Sequence, residues 1–314
     1  MADMAGSSAV IDLSGNRRRL RKEARWRWLF RVAGFSTLII SAAIVLSLVG
    51  KAFTFITNID LNTLWADGWY PRRGEYDLKT LFVGSLLVVG VAMIIAAPLG
   101  LGTAIYLAEY APERVRRILK PIVELLASIP SIVIGFFAIA WISPEIVDSI
   151  FSDAAQFNLA AAGIGVGLLI TPLIASVSED ALRAVPHALR EASYGLGAKR
   201  MTTVLRVSFP AAISGIVASL ILAISRAIGE TMVVALAAGA SGGSLFNTDI
   251  SQPGQTITAA MASLAVGTDQ VAGGGRGSGQ AFNSLYFLGL LLFFFTLLLN
   301  VLGDAFVRRV REQY

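Results

Sequence analysis

The amino-acid sequence predicts an all-α integral membrane protein with six transmembrane helices and both termini in the cytoplasm. Three observations carry that reading. Of the 314 residues, 55% are hydrophobic and only 15% charged, with a mean hydropathy of +0.68, which is more apolar surface than a water-soluble core can hide. Six apolar stretches are each long enough to cross a hydrocarbon core of about 30 Å, which takes about 20 helical residues. Most of the 26 Lys and Arg residues fall in segments on one side of those stretches, and the positive-inside rule makes that side cytoplasmic. The stretches lack period-2 alternation, so a barrel is not expected; helices satisfy their own backbone groups in lipid.

In chain order, spans are expected at 29–49, 81–107, 121–142, 159–177, 211–238 and 284–307. Residues 1–28 form a basic cytoplasmic head, expected to be disordered and held near anionic lipid by arginines from Arg17 to Arg27. A cleaved signal peptide does not fit, because the apolar run that follows is too long and no small-residue cleavage site ends it. The outer loop at 51–80 carries Trp65, Trp69 and Tyr70, expected at the membrane interface. Residues 108–120 form a short basic cytoplasmic loop. Residues 178–209 form a longer one, expected to hold short helices broken at Pro186, Gly195, Gly197 and Pro210.

The core of the chain is expected to run over 81–310, with an outer loop at 239–283 and a cytoplasmic tail at 311–314. Within that outer loop the glycine run at 273–279 reads as a flexible linker. Its context is wrong for a phosphate-cradling loop, since no strand precedes it and no Lys-Ser/Thr follows. The apolar segment 257–266 is too short to span and is expected to be a re-entrant or interfacial helix.

Composition excludes several chemistries. The absence of cysteine removes disulfides and thiolate metal sites. A single histidine, His187, argues against a His-rich metal centre or a His-dependent triad. The chain has no G-x-x-x-x-G-K-[ST] run, so nucleotide hydrolysis is not expected in it. Neither a catalytic residue nor a cofactor is assigned.

Apart from Arg31 at the cytoplasmic edge of the first, Arg226 is the one basic residue inside a predicted span. It falls roughly halfway along a fifth span of about 42 Å, where an arginine costs about 2.5–3.5 kcal/mol to insert. Glu230, four residues on, would share its helix face. The two could neutralise each other between packed helices, but Arg before Glu is the weaker i,i+4 order. Alternatively they serve a route for an oxyanion. Arginine presents a planar fork suited to two oxygens and stays charged. A carboxylate accepts from the P–OH of inorganic phosphate and repels fully deprotonated sulfate. Ser225, Thr231 and Ser131 are weaker candidates for hydroxyl donors on that route, and Glu124 is expected to be interfacial or paired with a basic loop residue.

The second cytoplasmic loop contains Glu191-Ala192-Ser193-Tyr194-Gly195-Leu196-Gly197, nine residues, and Val207-Ser208-Phe209-Pro210. This resembles the EAA loop of ABC importer permeases, with Glu191, Ala192, Gly197 and Pro210 matching outright and Ser193 a small replacement. Further stretches, among them Ile129-Pro130-Ser131 and Ser225-Arg226-Ala227-Ile228-Gly229-Glu230-Thr231-Met232, resemble the phosphate-importer (Pst-type) permeases, the PstC-type subunit more than the PstA-type.

The resemblance implies the type I permease fold and a bacterial inner-membrane location. It implies partners: a PstA-like second permease, two PstB-like ATPase subunits that hold ATP and Mg, and a PstS-like phosphate-binding protein. The EAA loop at 187–210, through Glu191, Ala192, Ser193, Gly197 and Pro210, would dock the ATPase, and inorganic phosphate would pass Arg226, Glu230, Thr231 and Ser225. Alternatives are a permease for another oxyanion such as molybdate or sulfate, an ion-coupled secondary transporter or channel, and a non-transporting scaffold or sensor.

Overall fold

A computed structural model describes residues 17–65, 67–239, 243–267 and 279–310. The chain divides into two compact units, residues 1–50 and 51–314. The first unit holds most of α1 (Arg17–Thr57). Its apolar side chains face outward: Trp26, Phe30, Phe35, Leu38 and Ile39 are all exposed, as suits a helix bathed in lipid. The helix starts at Arg17, so the expected disorder of the head does not hold for residues 17–28, and residues 1–16 lie outside the described residues. Arg, Lys, Leu, Glu and Ala are good helix formers, and Glu23 sits 4.0 Å from Arg27 in the favourable i,i+4 order.

In the second unit α1 continues to Thr57, past the expected end of the first span, and buries Ala52 and Phe55. The outer loops then form a small antiparallel sheet that the hydropathy pattern does not announce. Strand β1 (Gly68–Tyr70) lies between β2 (Glu75–Tyr76) and β3 (Ser244–Leu245), with Trp69 opposite Tyr76 on one side and Ser244 on the other. Trp69 is not an interface anchor as expected. It is fully buried with Phe55, Tyr76, Leu81, Ile257 and Leu264, because the sheet folds the two loops over it. Trp65 does remain exposed.

Helix α2 (Leu78–Ile105) is capped by Asp77, whose carboxylate accepts from Lys79 N at 3.0 Å and Thr80 N at 3.3 Å. A π-helical turn, Tyr106–Tyr110, extends it. Next come α3 (Glu113–Leu126) and α4 (Ser131–Phe137), the latter joined through the π segment Ala138–Val147 to α5 (Asp148–Ile150). The expected third span at 121–142 is therefore shifted: the crossing runs Ser131–Ile150, and Pro121 and Glu124 belong to α3. The chain breaks between the two because the residue before Pro130 is pushed out of the helical region, and Pro130 then stands at the N-cap of α4.

Helix α6 (Leu159–Arg183) packs along α2. Their backbones approach closely because α6 offers glycines: a Cβ at Gly163 would lie 2.6 Å from Val91 Cβ, and one at Gly167 would lie 2.9 Å from the Ala92 carbonyl oxygen. Small residues spaced by four are the usual means of close packing in lipid. The cytoplasmic loop supplies α7 (His187–Gly195), α8 (Arg200–Thr203), the π segment Val204–Ser208 and α9 (Phe209–Ala211). Then follow α10 (Ile213–Ile228), α11 (Met232–Ala237), α12 (Ile257–Val266) and α13 (Gln280–Val310). Among the described residues, five helices are long and apolar enough to cross a bilayer, and six crossings result when Arg200–Ala211 and Ile213–Ile228, bent by 70°, count as one.

Two expectations about the outer half meet the structure differently. The fifth span is not continuous over 211–238, since α10 stops at Ile228 and α11 begins at Met232. The short helix at 257–266 forms as α12. Of the glycine run, 273–278 lie outside the described residues, as does the tail at 311–314.

Helix α3 is pinned to the cytoplasmic end of α6 by Glu179, which is fully buried. Arg116 Nε lies 2.8 Å from one carboxylate oxygen and Lys120 Nζ 3.1 Å from the other; Lys120 also reaches Asp180 at 2.8 Å. Burial would lower the Lys120 pKa, but its hydrogen bonds to Asp180 and Glu179 and their charges outweigh that and raise it above the ordinary 10.5.

The stability advantage of wild type over Lys120→Met is therefore expected to be complete below about pH 10.5 and to shrink as pH climbs through the raised value, followed by unfolding in detergent against pH. For the α2–α6 contact, Gly167→Val should destabilise by about 1–3 kcal/mol through overpacking. Gly102→Ala, where no atom lies within 4 Å, should leave the melting temperature unchanged or slightly raised.

Candidate functional site

The site grows from the broken span. Gly229, Glu230 and Thr231 interrupt the helix, and the freed Glu230 carbonyl accepts a hydrogen bond from Thr258 Oγ1 at 2.7 Å, supplied by α12. The break changes what the two charges meet. Arg226 lies in the last turn of α10, where the carbonyl end of a helix favours a cation. Glu230 lies just ahead of α11, and its carboxylate accepts from Val233 N at 3.4 Å. Each charge thus finds a complementary helix end rather than the other charge. Among the described residues, neither Arg226 nor Glu230 makes an ion pair within 4.0 Å, so the neutralising pair is not formed.

Both residues line a cleft of about 860 Å³. Ser225, Gly229 and Leu222 join them from α10 and the break. Pro172 and Ser176 come from α6, Thr296 and Asn300 from α13, and Glu124 from α3. Ser225 Oγ donates to Asn300 Oδ1 at 3.0 Å. Arg226 is exposed in the cleft and Glu230 half-buried. Thr231 is not among the lining residues; its hydroxyl turns to the Gly229 carbonyl at 3.3 Å. Ser131 begins α4 and is absent from the lining as well. Sequence reasoning placed nothing functional on the last span. The signal was Asn300, a lone amide inside the run Leu297–Leu302 of otherwise apolar residues.

The second group of candidates gathers in the cytoplasmic loop. Glu191 and Ala192 lie on the exposed side of α7. Ser193 Oγ is 2.8 Å from Thr203 Oγ1 and ties α7 to α8. Gly197 turns the chain between those helices at φ +79°, a left-handed conformation that a side chain would strain, although the space around it is open for 4 Å. Leu196 beside it is 90% exposed, and Pro210 lies exposed in α9. The loop thus presents a carboxylate, a sharp turn and a bare apolar side chain together.

What sequence reasoning missed lies behind this surface. The Arg190 guanidinium sits 3.1 Å from the buried Glu109 carboxylate at the end of α2 and donates to the Leu182 carbonyl at 2.7 Å. Glu109 and Glu179 are carboxylates at the cytoplasmic ends of apolar helices, and a buried carboxylate requires a cation. That requirement was legible, but which of the many nearby arginines answered it was not.

Residues 96–312 match the family described as "Binding-protein-dependent transport system inner membrane component". The phosphate transport system permease protein PstC of Haemophilus influenzae is 32% identical over 87% of this chain and 89% of its own length. PstC of Pasteurella multocida is 29% identical over 93% of each chain. In fold, the chain is similar to a chain of a bacterial alginate ABC transporter, with a TM-score of 0.64 at 15% identity, covering 94% of this chain and 99% of that one. With the broken span, the cleft and the exposed cytoplasmic loop, these matches establish that the chain belongs to the binding-protein-dependent transport system inner membrane components, as a multi-pass ABC-importer permease subunit of type I fold rather than an enzyme.

Proposed function

We propose that this chain is the PstC-type permease of an ATP-driven phosphate importer. The observation that carries the reading is a cleft holding an arginine that makes no ion pair within 4.0 Å among the described residues, beside a carboxylate committed to a helix end. Relatives named as phosphate transport permeases support the choice of anion.

Inorganic phosphate would enter the cleft with two oxygens on the Arg226 fork. Its P–OH would donate to the free oxygen of Glu230, while sulfate, having no such proton, would meet only repulsion. Ser225 and Asn300 offer further polar contacts. One carboxylate beside one guanidinium also keeps the anion from being held too tightly to leave. The second wall of the pathway would come from a PstA-like permease, and a PstS-like protein would deliver phosphate from outside.

A PstB-like ATPase pair, holding ATP and Mg, would dock on the Glu191–Gly197 turn. Glu191 would supply the charged contact and Leu196 the apolar one, with Gly197 letting the partner's backbone approach. Ala192 keeps the α7 surface low, Ser193 holds α7 to α8, and Pro210 starts the turn back toward the membrane.

In the assembled importer, Arg226→Lys is expected to lower phosphate uptake about tenfold or more, since an ammonium cannot offer the bidentate fork. Glu230→Gln keeps an oxygen for Val233 N but removes the charge, and should let sulfate compete with labelled phosphate. Wild-type uptake and selectivity in both variants would overturn the reading.

A further inference from the structure

Arg190 and Glu191 are neighbours on α7 that face opposite ways. Glu191 is exposed, whereas only 11% of the Arg190 side chain is accessible. The buried guanidinium gathers the cytoplasmic ends of three membrane helices. One Nη lies 3.1 Å from Glu109, in the π turn that ends α2, and donates at 2.7 Å to Leu182 O near the end of α6. Its Nε donates at 3.3 Å to Ser208 Oγ, in the π segment that leads through α9 into α10.

The junction is reinforced from both sides. Arg200, at the start of α8, donates to the Glu109 carbonyl and lies over the Tyr110 ring at 5.0 Å. Leu189, one residue before Arg190, packs against the buried cluster that includes Ala104, Leu182 and Ile216. At the end of α7, by contrast, Leu196 is exposed and no atom lies within 4 Å of where a Gly195 Cβ would stand. A push there therefore reaches the bundle chiefly through the inner side. Pulling Glu109 from Arg190 would leave a buried carboxylate without its cation, which is strongly unfavourable. Moving the joined ends together keeps every contact. π-Helical turns are often placed where a helix must do functional work, and here two of the three among the described residues meet the same guanidinium.

We infer that Arg190 is a positioning residue that converts displacement of α7 into concerted movement of α2 and α10, and through α10 of Arg226 in the cleft. The inference rests on the reading that an ATPase docks on the outer side of α7, and it adds the inner half of the linkage: a single fork that ties the docking helix to the helix bearing the anion site.

The test uses the complete importer in vesicles, with phosphate uptake and ATP hydrolysis measured together. Arg190→Gln should retain hydrolysis but move about tenfold less phosphate per ATP, a loss in the range of ordinary coupling energies. Arg190→Lys, which keeps the charge and loses the fork, should fall between. Phosphate moved per ATP equal to wild type in Arg190→Gln would overturn the inference. A wild-type complex whose hydrolysis ignores phosphate-loaded binding protein would instead refute the docking reading itself.

If Arg190→Gln fails to assemble, the otherwise wild-type chain decides. It contains no cysteine, so His187→Cys with Tyr106→Cys places spin labels on α7 and at the end of α2 without background. Their separation should stay within about 2 Å between nucleotide-free and ATP-bound states, well short of the roughly 5.4 Å by which one helix ratchets a turn past another. A larger change would show α7 sliding past α2 and overturn the inference.

Discussion

The arrangement depends on a broken helix. A continuous fifth span would put Arg226 and Glu230 on one face in mid-bilayer, where their cheapest arrangement is with each other. Stopping α10 at Ile228 and restarting at Met232 gives each charge a helix end of opposite sign. The guanidinium is left open to the cleft, without a partner carboxylate among the described residues. A helix break within membrane depth is tolerated only where the freed backbone groups are satisfied, and here Thr258 of α12 answers the Glu230 carbonyl. The short helix in the outer loop thus satisfies the break that lines the cleft.

The two ends of the molecule are built differently for different work. On the outer side, the β2–β1–β3 sheet and the buried Trp69 join loops far apart in sequence into one apolar cap with α12. On the cytoplasmic side the ties are ionic: Glu179 holds α3, and Glu109 with Arg190 holds α7. Buried ion pairs contribute little net stability against an apolar alternative, yet they are specific in geometry and costly to split. That combination fits the transmission proposed for Arg190.

Much of this was legible in the sequence, and what was not has identifiable causes. Apolar runs of bilayer length located α2, α6 and α13, and the short apolar segment at 257–266 located α12. The loop spacing from Glu191 to Pro210 singled out, without any geometry, a cytoplasmic loop that the structure leaves exposed at Glu191, Leu196 and Pro210. The break at Gly229–Thr231 was hidden because one glycine and two polar residues inside an apolar run are compatible with a helix. What decides the break is a hydrogen bond from Thr258, a residue outside that run. The start of the third crossing was misread because Pro121 can stand inside a helix, whereas Pro130 begins one. Trp69 looked interfacial since aromatics at a membrane boundary usually are, and its burial depends on pairing between two loops that no local pattern connects. Thr231 shares the motif with Arg226 and Glu230 but not the cleft, because the break turns its side chain away.

The central claim is that the positive charge at Arg226 serves the travelling anion rather than the packing of helices. The absence of native cysteine permits a direct measurement: chemical restoration of charge at this one position in the assembled importer. Arg226→Cys should abolish phosphate uptake, and aminoethylation of that cysteine should return part of it, while a neutral or anionic reagent of the same length should not. Equal recovery with the neutral reagent, or full uptake before any modification, would contradict the account.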